Sequence, residues 1–279
     1  MKMDGKTVLI TGSTDGVGRV VAKRLGDAGW RVLLHGRDRG RGERVAAQIK
    51  DAGGTAELLT GDLSSLAEVR RLAAAVQQAT NRLDLLINNA GIGGGGAESV
   101  RQTSADGYEL RFAVNYLSGF LLTHLLLPLL KASAPARIVN VASLGQEPLD
   151  FGDVMLTNGY SGMRAYRQSK LAQIMFTIDL AQELGGSGVT VNTLHPATFM
   201  NTTMVRQSGV TPISSVEEGA DAILKLAVSP DVEGQSGLYF NGQREARADA
   251  QAYDAKARRQ LKALSLELTG LSARQYASP

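Results

Sequence analysis

A strand, a glycine-rich turn and a helix at the start of the chain restrict its fold more than any other stretch. Residues 6–11 (KTVLIT) form a short apolar run that breaks at Gly12, and apolar residues resume at helical spacing from residue 20. Glycines suit a tight turn and let a pyrophosphate approach the amides at a helix start. We predict a dinucleotide site here, although the spacing differs from G-x-G-x-x-G and a glycine turn can be purely structural. The predicted contacts are Gly12, Ser13, Thr14, Asp15, Gly16, Val17 and Gly18.

Strands and helices alternate along the rest of the chain. Further strands are predicted at residues 31–36, 55–60, 83–87, 137–142, 189–194 and 237–240. Helices are predicted at residues 43–52, 66–80, 106–131, 163–184 and 217–227, with a charged helical tail at 244–269. This alternation is typical of parallel sheets with crossover helices. We therefore predict a single-domain α/β fold, a doubly wound (Rossmann) parallel sheet of about seven strands with helices on both faces.

Composition excludes several classes of partner. The chain has 30 Lys and Arg against 27 Asp and Glu, and a net charge of +3 is too small to indicate nucleic-acid binding. There is no cysteine, and His35, His124 and His195 lie far apart, so we expect no metal site. Neither a signal-peptide pattern nor an apolar run of about 18 residues occurs. We expect a soluble, cytoplasmic protein without membrane contact.

The end of the second strand indicates which cofactor is bound. In NAD-binding folds of this kind an acidic residue holds the ribose 2′-hydroxyl, whereas an arginine accommodates the 2′-phosphate of NADP. Gly36 stands in the place of the acid, and Arg37 follows it. We predict NADP as the cofactor, with Arg37 at its phosphate. The alternative is a solvated basic turn, to which Arg39 and Arg41 would also belong.

The third and fourth strands also end in candidate cofactor contacts. The residues predicted to contact the cofactor here are Asp62, Leu63, Asn89, Ala90 and Gly91. Asp62 and Leu63 would flank the adenine ring, although Asp62 could equally belong to the cap of the next helix. Four glycines at positions 93–96 carry no side chains, so we expect flexibility there, beside the cofactor or the substrate.

Tyr166 and Lys170 lie four residues apart within the helical pattern of residues 163–184. Side chains at this spacing share one helix face, with Cβ atoms about 5–6 Å apart. An ammonium beside a phenol favours the phenolate and lowers a pKa that is ordinarily about 10. Tyr166 is therefore a candidate proton donor near neutral pH. Taken alone, such a pair is more often a feature of a surface helix.

The helix predicted at residues 106–131 is apolar nearly all round, and Pro128 is expected to kink it. Such a helix packs either in a core or against a partner chain. We therefore expect a homodimer or homotetramer, unless the tail from Arg244 covers this surface and leaves a monomer. Asn115 is the polar exception in the helix. It could be a structural hydrogen bonder, or it could bend the helix and hold a water.

In this order the motifs resemble those of the short-chain dehydrogenase/reductase family over nearly the whole chain. The matching residues are Thr11, Gly12, Gly16, Gly18, Asp62, Asn88, Asn89, Ala90, Gly91, Asn115, Ser143, Tyr166, Lys170, His195 and Pro196. The stretch from His35 to Asp38 and the 23-residue step from Ser143 to Tyr166 resemble the retinol-dehydrogenase-like and carbonyl-reductase-like branch.

The resemblance implies roles for four residues. Ser143 would hydrogen-bond the substrate oxygen, and Tyr166 would donate or accept its proton. Lys170 would bind the nicotinamide ribose and lower the pKa of Tyr166, so both residues count as catalytic and as cofactor-binding. Asn115 would hold a relay water. Further cofactor contacts are expected from Pro196 and Thr198, with Thr202 or Thr203 replacing a threonine that the family commonly has at the position of Asn201.

The resemblance also implies the reaction. We expect an NADP-dependent oxidoreductase that interconverts an alcohol and a ketone or aldehyde by hydride transfer. The alternative is a non-catalytic NADP-binding regulator or scaffold of the same fold. Residues 1–243 would form the NADP-binding Rossmann domain with the catalytic site, and residues 244–279 a helical tail of that domain. Because the loops expected around the site are mostly apolar, we expect a medium-sized, mostly apolar carbonyl or alcohol substrate.

Overall fold

The central sheet has eight strands in the order β3-β2-β1-β4-β5-β6-β7-β8, and all but the last pair run parallel. The computed structural model describes residues 5–96 and 99–272. The strands are β1 Thr7–Ile10, β2 Arg31–Gly36, β3 Thr55–Thr60, β4 Leu85–Asn88, β5 Ala136–Val141, β6 Val189–His195, β7 Tyr239–Asn241 and β8 Arg244–Ala246. The central strands β1 and β4 are buried along their whole length, as expected for parallel strands covered on both faces.

Helices cover both faces of the sheet, which confirms the predicted doubly wound α/β fold. They are α1 Gly16–Asp27, α2 Arg39–Asp51, α3 Leu66–Ala79, α4 Ser118–Ala132, α5 Gly162–Glu183, α6 Thr203–Gln207, α7 Val216–Val228 and α8 Ala255–Thr269. One apolar core lies between the sheet and α3, α4, α5 and α8. A second lies between the sheet and α1, α2 and α7.

The strand order places a topological switch between β1 and β4. The chain moves from β1 towards β2 and β3, then returns to the other side of β1 as β4. The loops that leave these two strands therefore separate and open a crevice at the carboxyl end of the sheet, where ligands bind in open α/β folds. The backbone N–H of Thr11 donates to the carbonyl of Ile87 (3.0 Å), so the two loops start side by side.

The prediction of a helical tail from Arg244 is wrong for its first eleven residues, 244–254. Residues 242 and 243 form a two-residue hairpin loop in which Gly242 has a φ of +59°, and β8 then pairs antiparallel with β7. A short 3₁₀ turn follows at Ala250–Tyr253. The helix α8 begins only after Asp254, whose carboxylate accepts from the N–H of Lys256. The start of the predicted domain (residues 1–4) and the end of the predicted tail (residues 273–279) lie outside the described residues.

The helix predicted from residue 106 is shorter and less regular than expected. Gly107 has a φ of +84°, and helical structure begins at Leu110. Residues Phe112–Leu117 then form a π-helical turn that contains Asn115, and α4 continues past Pro128. The irregular turn thus lies at the asparagine. By length and composition the 21 residues Phe112–Ala132 could cross a membrane, but 72 % of their most apolar window is buried inside the protein.

Helix α8 packs against α5 and against the π-helical turn that precedes α4. The hydroxyl of Tyr116 hydrogen-bonds that of Ser265 at 2.7 Å, and both side chains are buried. Arg258 of α8 pairs with Asp179 of α5 at 3.4 Å. Part of the surface that motivated the expectation of a homodimer or homotetramer is therefore covered from within the chain. That assembly stays a prediction.

Two ion pairs join α8 to α5. We expect the buried pair of Arg258 with Asp179 to stabilise the protein more than the more exposed pair of Lys262 with Glu183. Arg258 is 8 % exposed, so Arg258→Met would leave the carboxylate of Asp179 without its cation in a largely buried site. We expect the free energy of unfolding to fall by about 3 kcal/mol. Lys262→Met is the matched control and should cost no more than about 0.5 kcal/mol. Urea denaturation measures both, and equal losses would contradict the assignment.

Candidate active site

Ser143, Tyr166 and Lys170 meet at the carboxyl end of the sheet. Ser143 follows β5, while the other two project from the first turns of α5, which begins after the capping residue Ser161. The side chains of Ser143 and Tyr166 both lie beside Gly145, since a Cβ built there would be 3.5 Å from Oγ of Ser143 and 3.9 Å from Cε1 of Tyr166. The Ser143 oxygen accepts from the N–H of Gly145 (3.0 Å). A hydroxyl pair at the mouth of a cleft can bind one oxygen atom of a substrate from two sides.

Lys170 is buried beneath this hydroxyl pair. Its Nζ donates to the carbonyl of Val141 and to Oε1 of Gln173, both at 2.9 Å, and lies 5.8 Å from the ring centre of Tyr166. Burial lowers the pKa of Lys170 to about 7. Both acceptors are neutral, so they orient the ammonium without the compensation that a carboxylate would give. Gln173 was missed in the sequence because a polar residue on an otherwise apolar face carries no specific signal.

The pKa of Tyr166 is shifted in the direction opposite to the one expected from the sequence. Burial raises the pKa of Tyr166, and the hydrogen bond with Ser143 opposes this rise. The expectation that Lys170 would lower this pKa is therefore wrong for the protein alone, since desolvation of the phenol outweighs the opposing contribution. The phenol is consequently protonated at neutral pH.

Asn115 uses its side chain to hold the loop that follows β4. Its Oδ1 accepts from the N–H of Ile92 (2.8 Å), and its Nδ2 donates to the carbonyl of Ile92 (3.1 Å) and to the hydroxyl of Ser169 (2.9 Å). Both amide hydrogens are thus engaged inside the protein. The structure shows the bonds of a structural hydrogen bonder, and the relay water implied by the resemblance stays a prediction.

The glycine-rich turn packs tightly against the loop after β4. Gly12 has a φ of +65°, and a Cβ built there would lie 2.9 Å from the Cα of Ala90. A Cβ on Gly18 would collide with the side-chain amide of Asn89, whose Nδ2 donates to the carbonyls of Thr11 (2.9 Å) and Gly12 (3.1 Å). Only glycine fits these positions. The crevice therefore has a cradle of bare backbone at the start of α1, which fits a dinucleotide pyrophosphate.

Thr11 and His35 support this turn and were missed as site residues. The hydroxyl of Thr11 accepts from the N–H groups of Asn89 (3.0 Å) and Ala90 (3.1 Å). Nδ1 of His35 accepts from the N–H of Gly12 (3.3 Å), so the ring's proton lies on Nε2 and points to the carbonyl of Gly61 (3.2 Å). Burial lowers the pKa of His35 to about 4. A histidine at the end of an apolar strand, beside a glycine turn, was the available signal.

Two arginines, Arg37 and Arg41, follow or face the end of β2. Gly36 is closely packed, because a Cβ there would lie 2.6 Å from the side chain of Thr14. Arg37 is exposed and stands 3.9 Å from a carboxylate oxygen of Asp62. Arg41 reaches back from α2 to Asp15 at 3.3 Å, while Asp38 caps α2 by accepting from the N–H of Arg41 (2.8 Å). Basic groups thus line the crevice beside the glycine-rich turn.

Several other predicted contacts are engaged within the protein. Ser13 is fully buried, and its N–H and hydroxyl both bond the backbone of His35; Val17 and Leu63 lie in the apolar cores. The hydroxyl of Thr198, beyond Pro196, bonds Nε2 of His195 at 3.0 Å. Thr202 caps α6, and Thr203 donates to Asp15 at 2.8 Å. Cofactor contacts by these residues stay predictions. Within residues 5–96 and 99–272 no group of acidic or histidine side chains could hold a metal.

Comparisons with known proteins agree with this geometry. The family described as short chain dehydrogenase matches residues 6–211. The chain is 39 % identical to retinol dehydrogenase 14 of Homo sapiens, in an alignment that covers 96 % of this chain and 88 % of that protein. It is 38 % identical to human retinol dehydrogenase 13, over 96 % of this chain and 86 % of that protein.

Solved structures show the same fold. An uncharacterised protein from Mycobacterium paratuberculosis superposes with a TM-score of 0.79 at 29 % identity, over 96 % of this chain and 95 % of that one. RhlG of Pseudomonas aeruginosa, in an active-site complex with NADP, gives 0.70 at 30 % identity over 86 % and 95 %. The 3-ketoacyl-(acyl-carrier-protein) reductase of Brucella melitensis, complexed with NADH, gives 0.69 at 26 % identity over 85 % and 96 %.

The buried neutral histidines make stability depend on pH. Burial lowers the pKa of His35, His124 and His195 to about 4 each. Between pH 6.5 and 4 the unfolded chain binds protons that the folded protein does not, so stability falls as the pH falls through this window. We expect each histidine to contribute at most about 1.4 kcal/mol per pH unit. His124→Gln should flatten this slope by about a third, measured by urea denaturation between pH 6.5 and 5; an unchanged slope would refute the assignment.

Proposed function

The chain belongs to the short-chain dehydrogenase family, and we propose that it interconverts an alcohol and a ketone or aldehyde by hydride transfer with NADP. As a family member it is an NAD(P)-dependent oxidoreductase. The observation that carries the proposal is the hydroxyl pair of Ser143 and Tyr166 above the buried Lys170. This arrangement lies beside a bare-backbone cradle suited to a dinucleotide.

In the proposed reduction, Ser143 and Tyr166 bind the carbonyl oxygen of the substrate. The bound nicotinamide supplies the hydride in reduction and accepts it in oxidation. Tyr166 donates its phenolic proton to the oxygen as negative charge develops there, and Ser143 stabilises that charge by its hydrogen bond. Because burial keeps the pKa of Tyr166 high, the phenol carries this proton at neutral pH, which supports reduction of a carbonyl.

Lys170 is proposed to act from below this pair. Val141 and Gln173 hold two of its three N–H donors, which leaves one for the cofactor ribose. When protonated, the ammonium also favours the phenolate that Tyr166 becomes after giving up its proton. The ammonium of Lys170 therefore stabilises the transition state, in which negative charge develops on Tyr166, more than the ground state, in which the phenol is neutral.

The basic groups around β2 support NADP over NAD. Arg37 is exposed at the edge of the crevice, and within the described residues Asp62 is the one carboxylate that lies within 4 Å of it, at 3.9 Å. Asp38 is engaged as the cap of α2 and by Arg41 at 3.8 Å, so its charge is partly compensated. An acid in the place of Gly36 would collide with Thr14. The NADP complex of RhlG supports this choice, whereas the NADH complex of the Brucella reductase shows that structures with this fold hold either cofactor.

The rim of the site supports a mostly apolar substrate. Leu144, Met163, Phe199 and Met204 are 38–52 % exposed, and they follow Ser143, precede Tyr166 on α5, or lie in the loop after β6. Apolar side chains exposed together beside a cleft are typical of ligand sites. Retinol and other apolar alcohols and aldehydes are therefore the first compounds to test, given the retinol dehydrogenases among the relatives.

Removing the phenolic hydroxyl should abolish most of the activity. We expect Tyr166→Phe to lower kcat by about 10²–10⁴-fold, because general acid catalysis at the substrate oxygen is lost. Binding of NADPH, followed by its fluorescence, should change little. Tyr108→Phe, which removes a hydroxyl bonded to the carbonyl of Leu268 far from the site, is the control and should keep full activity. Undiminished turnover by Tyr166→Phe would show that Tyr166 is not the general acid.

Removing the guanidinium of Arg37 should erase much of the preference for NADP. Charge-assisted hydrogen bonds contribute about 1.5–3 kcal/mol each, so we expect Arg37→Ala to raise the KM for NADPH about ten- to a hundredfold and to leave that for NADH nearly unchanged. Arg39→Ala removes an equally exposed arginine, paired with Glu43 on α2, and is the matched control. Steady-state kinetics with both cofactors checks this. Equal use of NADH and NADPH by the wild type would show that the cofactor assignment is wrong.

A further inference from the structure

Two side chains one helical turn apart hold three successive residues of the loop after β4. Asn115 bonds both the N–H and the carbonyl of Ile92. Four residues earlier, Arg111 donates from Nε to the carbonyl of Gly93 (2.9 Å) and from Nη2 to the carbonyl of Gly94 (3.0 Å). The first half of the glycine run at positions 93–96 is therefore fixed, contrary to the flexibility expected from its composition.

Arg111 belongs to a buried cluster with Glu109 and Tyr160, here called the Arg111 cluster. Arg111 is 7 % and Glu109 is 1 % exposed. Nη1 of Arg111 donates to the hydroxyl of Tyr160 (2.5 Å) and lies 3.5 Å from Oε1 of Glu109, which also accepts from that hydroxyl (3.0 Å). The second carboxylate oxygen of Glu109 accepts from the N–H of Phe112 (2.7 Å). The buried charges are thus paired and hydrogen-bonded, which offsets their desolvation.

The backbone held by Arg111, here called the wall, packs against Met163 and Met204, two side chains beside the site. A Cβ built on Gly93 would lie 3.1 Å from Cγ of Met204, and one on Gly94 would lie 3.0 Å from the Cα of Met163. Met163 stands three residues before Tyr166 on α5. Because both carbonyls turn to Arg111, they are already bonded within the protein and the wall offers few acceptors to a substrate.

We propose that Arg111 is a positioning residue that sets the width of the substrate cleft and so restricts branched carbonyl compounds; this rests on the proposed function. By fixing the carbonyls of Gly93 and Gly94, it keeps the wall close to Met163 and Met204. A slim apolar carbonyl compound passes this wall, whereas one branched next to the carbonyl needs it to move. Tyr160 extends the same restraint to the segment that precedes α5.

The first test measures the loop without any turnover. The N–H of Ile92 donates to Oδ1 of Asn115, so its exchange reports whether the loop stays in place. Hydrogen–deuterium exchange of the Ile92 amide should become at least tenfold faster in Arg111→Met. Because that variant leaves Glu109 buried without its cation, Glu109→Gln/Arg111→Met is prepared as well, and it should fold and show the same acceleration. The control is Arg101→Met, which loses a bond from an arginine to a different loop carbonyl, that of Met155 (3.0 Å), and should leave the Ile92 amide protected. Unchanged exchange in the folded double variant would overturn the proposal.

The second test measures selectivity with hexanal and isobutyrophenone as slim and branched probes. In the double variant the ratio of their kcat/KM values should shift about tenfold towards isobutyrophenone, while the KM for NADPH stays within about twofold. Tyr160→Phe should give a smaller shift in the same direction. A ratio equal to that of the wild type, or an equal rise in the KM for NADPH, would overturn the selecting role. Absence of turnover by the wild type would overturn the proposed function and that role with it, while exchange would still decide whether Arg111 holds the loop.

Discussion

The close contact between the turn after β1 and the loop after β4 is the constraint on which the rest of the site depends. The hydroxyl of Thr11 and the side-chain amide of Asn89 tie the two loops together, and glycine at positions 12 and 18 lets them approach. Every bond in this junction joins a side chain or backbone group of one loop to backbone of the other. The junction therefore fixes the shape of the crevice before any ligand enters, and it leaves the start of α1 lined by backbone.

Burial sets the chemical state of the groups around this crevice. The same desolvation raises the pKa of Tyr166, lowers that of Lys170 to about 7 and lowers that of His35 to about 4. Each shift favours the neutral form, because a low-dielectric site penalises charge. The protein alone thus holds a protonated phenol, a lysine whose pKa lies near neutral pH, and a neutral histidine that supports the turn by hydrogen bonds. A charged ligand in the crevice would therefore change the protonation of Tyr166 and Lys170, whose pKa values burial has already shifted.

The helix that carries Asn115 links this crevice to the substrate side of the site. Its π-helical turn lies in the same stretch as Arg111 and Asn115, whose side chains reach consecutive residues of one loop. Its opposite side packs against α8, where Tyr116 bonds Ser265. One helix therefore connects the loop at the site to α8, which also packs against α5. Irregular helical turns of this kind are frequent at functional sites.

The sequence by itself determined the fold class and the family, whereas the strand order at the switch point came from the structure. The fold class and the family follow from local signals, namely apolar strand runs, glycines before α1 and the spacing of Tyr166 and Lys170, which act within a few residues of the chain. It also singled out Ser143 and Asn115 as site residues, although their roles remain predictions. The hairpin at Gly242 had a local signal too, a glycine between two short strands, but the charged residues after it read as a helix.

Only the tertiary structure decided which polar groups face one another. Thr11, His35 and Arg111 bind loop backbone from 17 to 79 residues away, and no local pattern encodes such a pairing. The direction of the Tyr166 shift was decided in the same way, because desolvation depends on how the whole chain packs around the phenol and not on the lysine one turn away. The packing of α8 against α5 and the π-helical turn likewise follows from where the last helix docks, which its own periodicity does not specify.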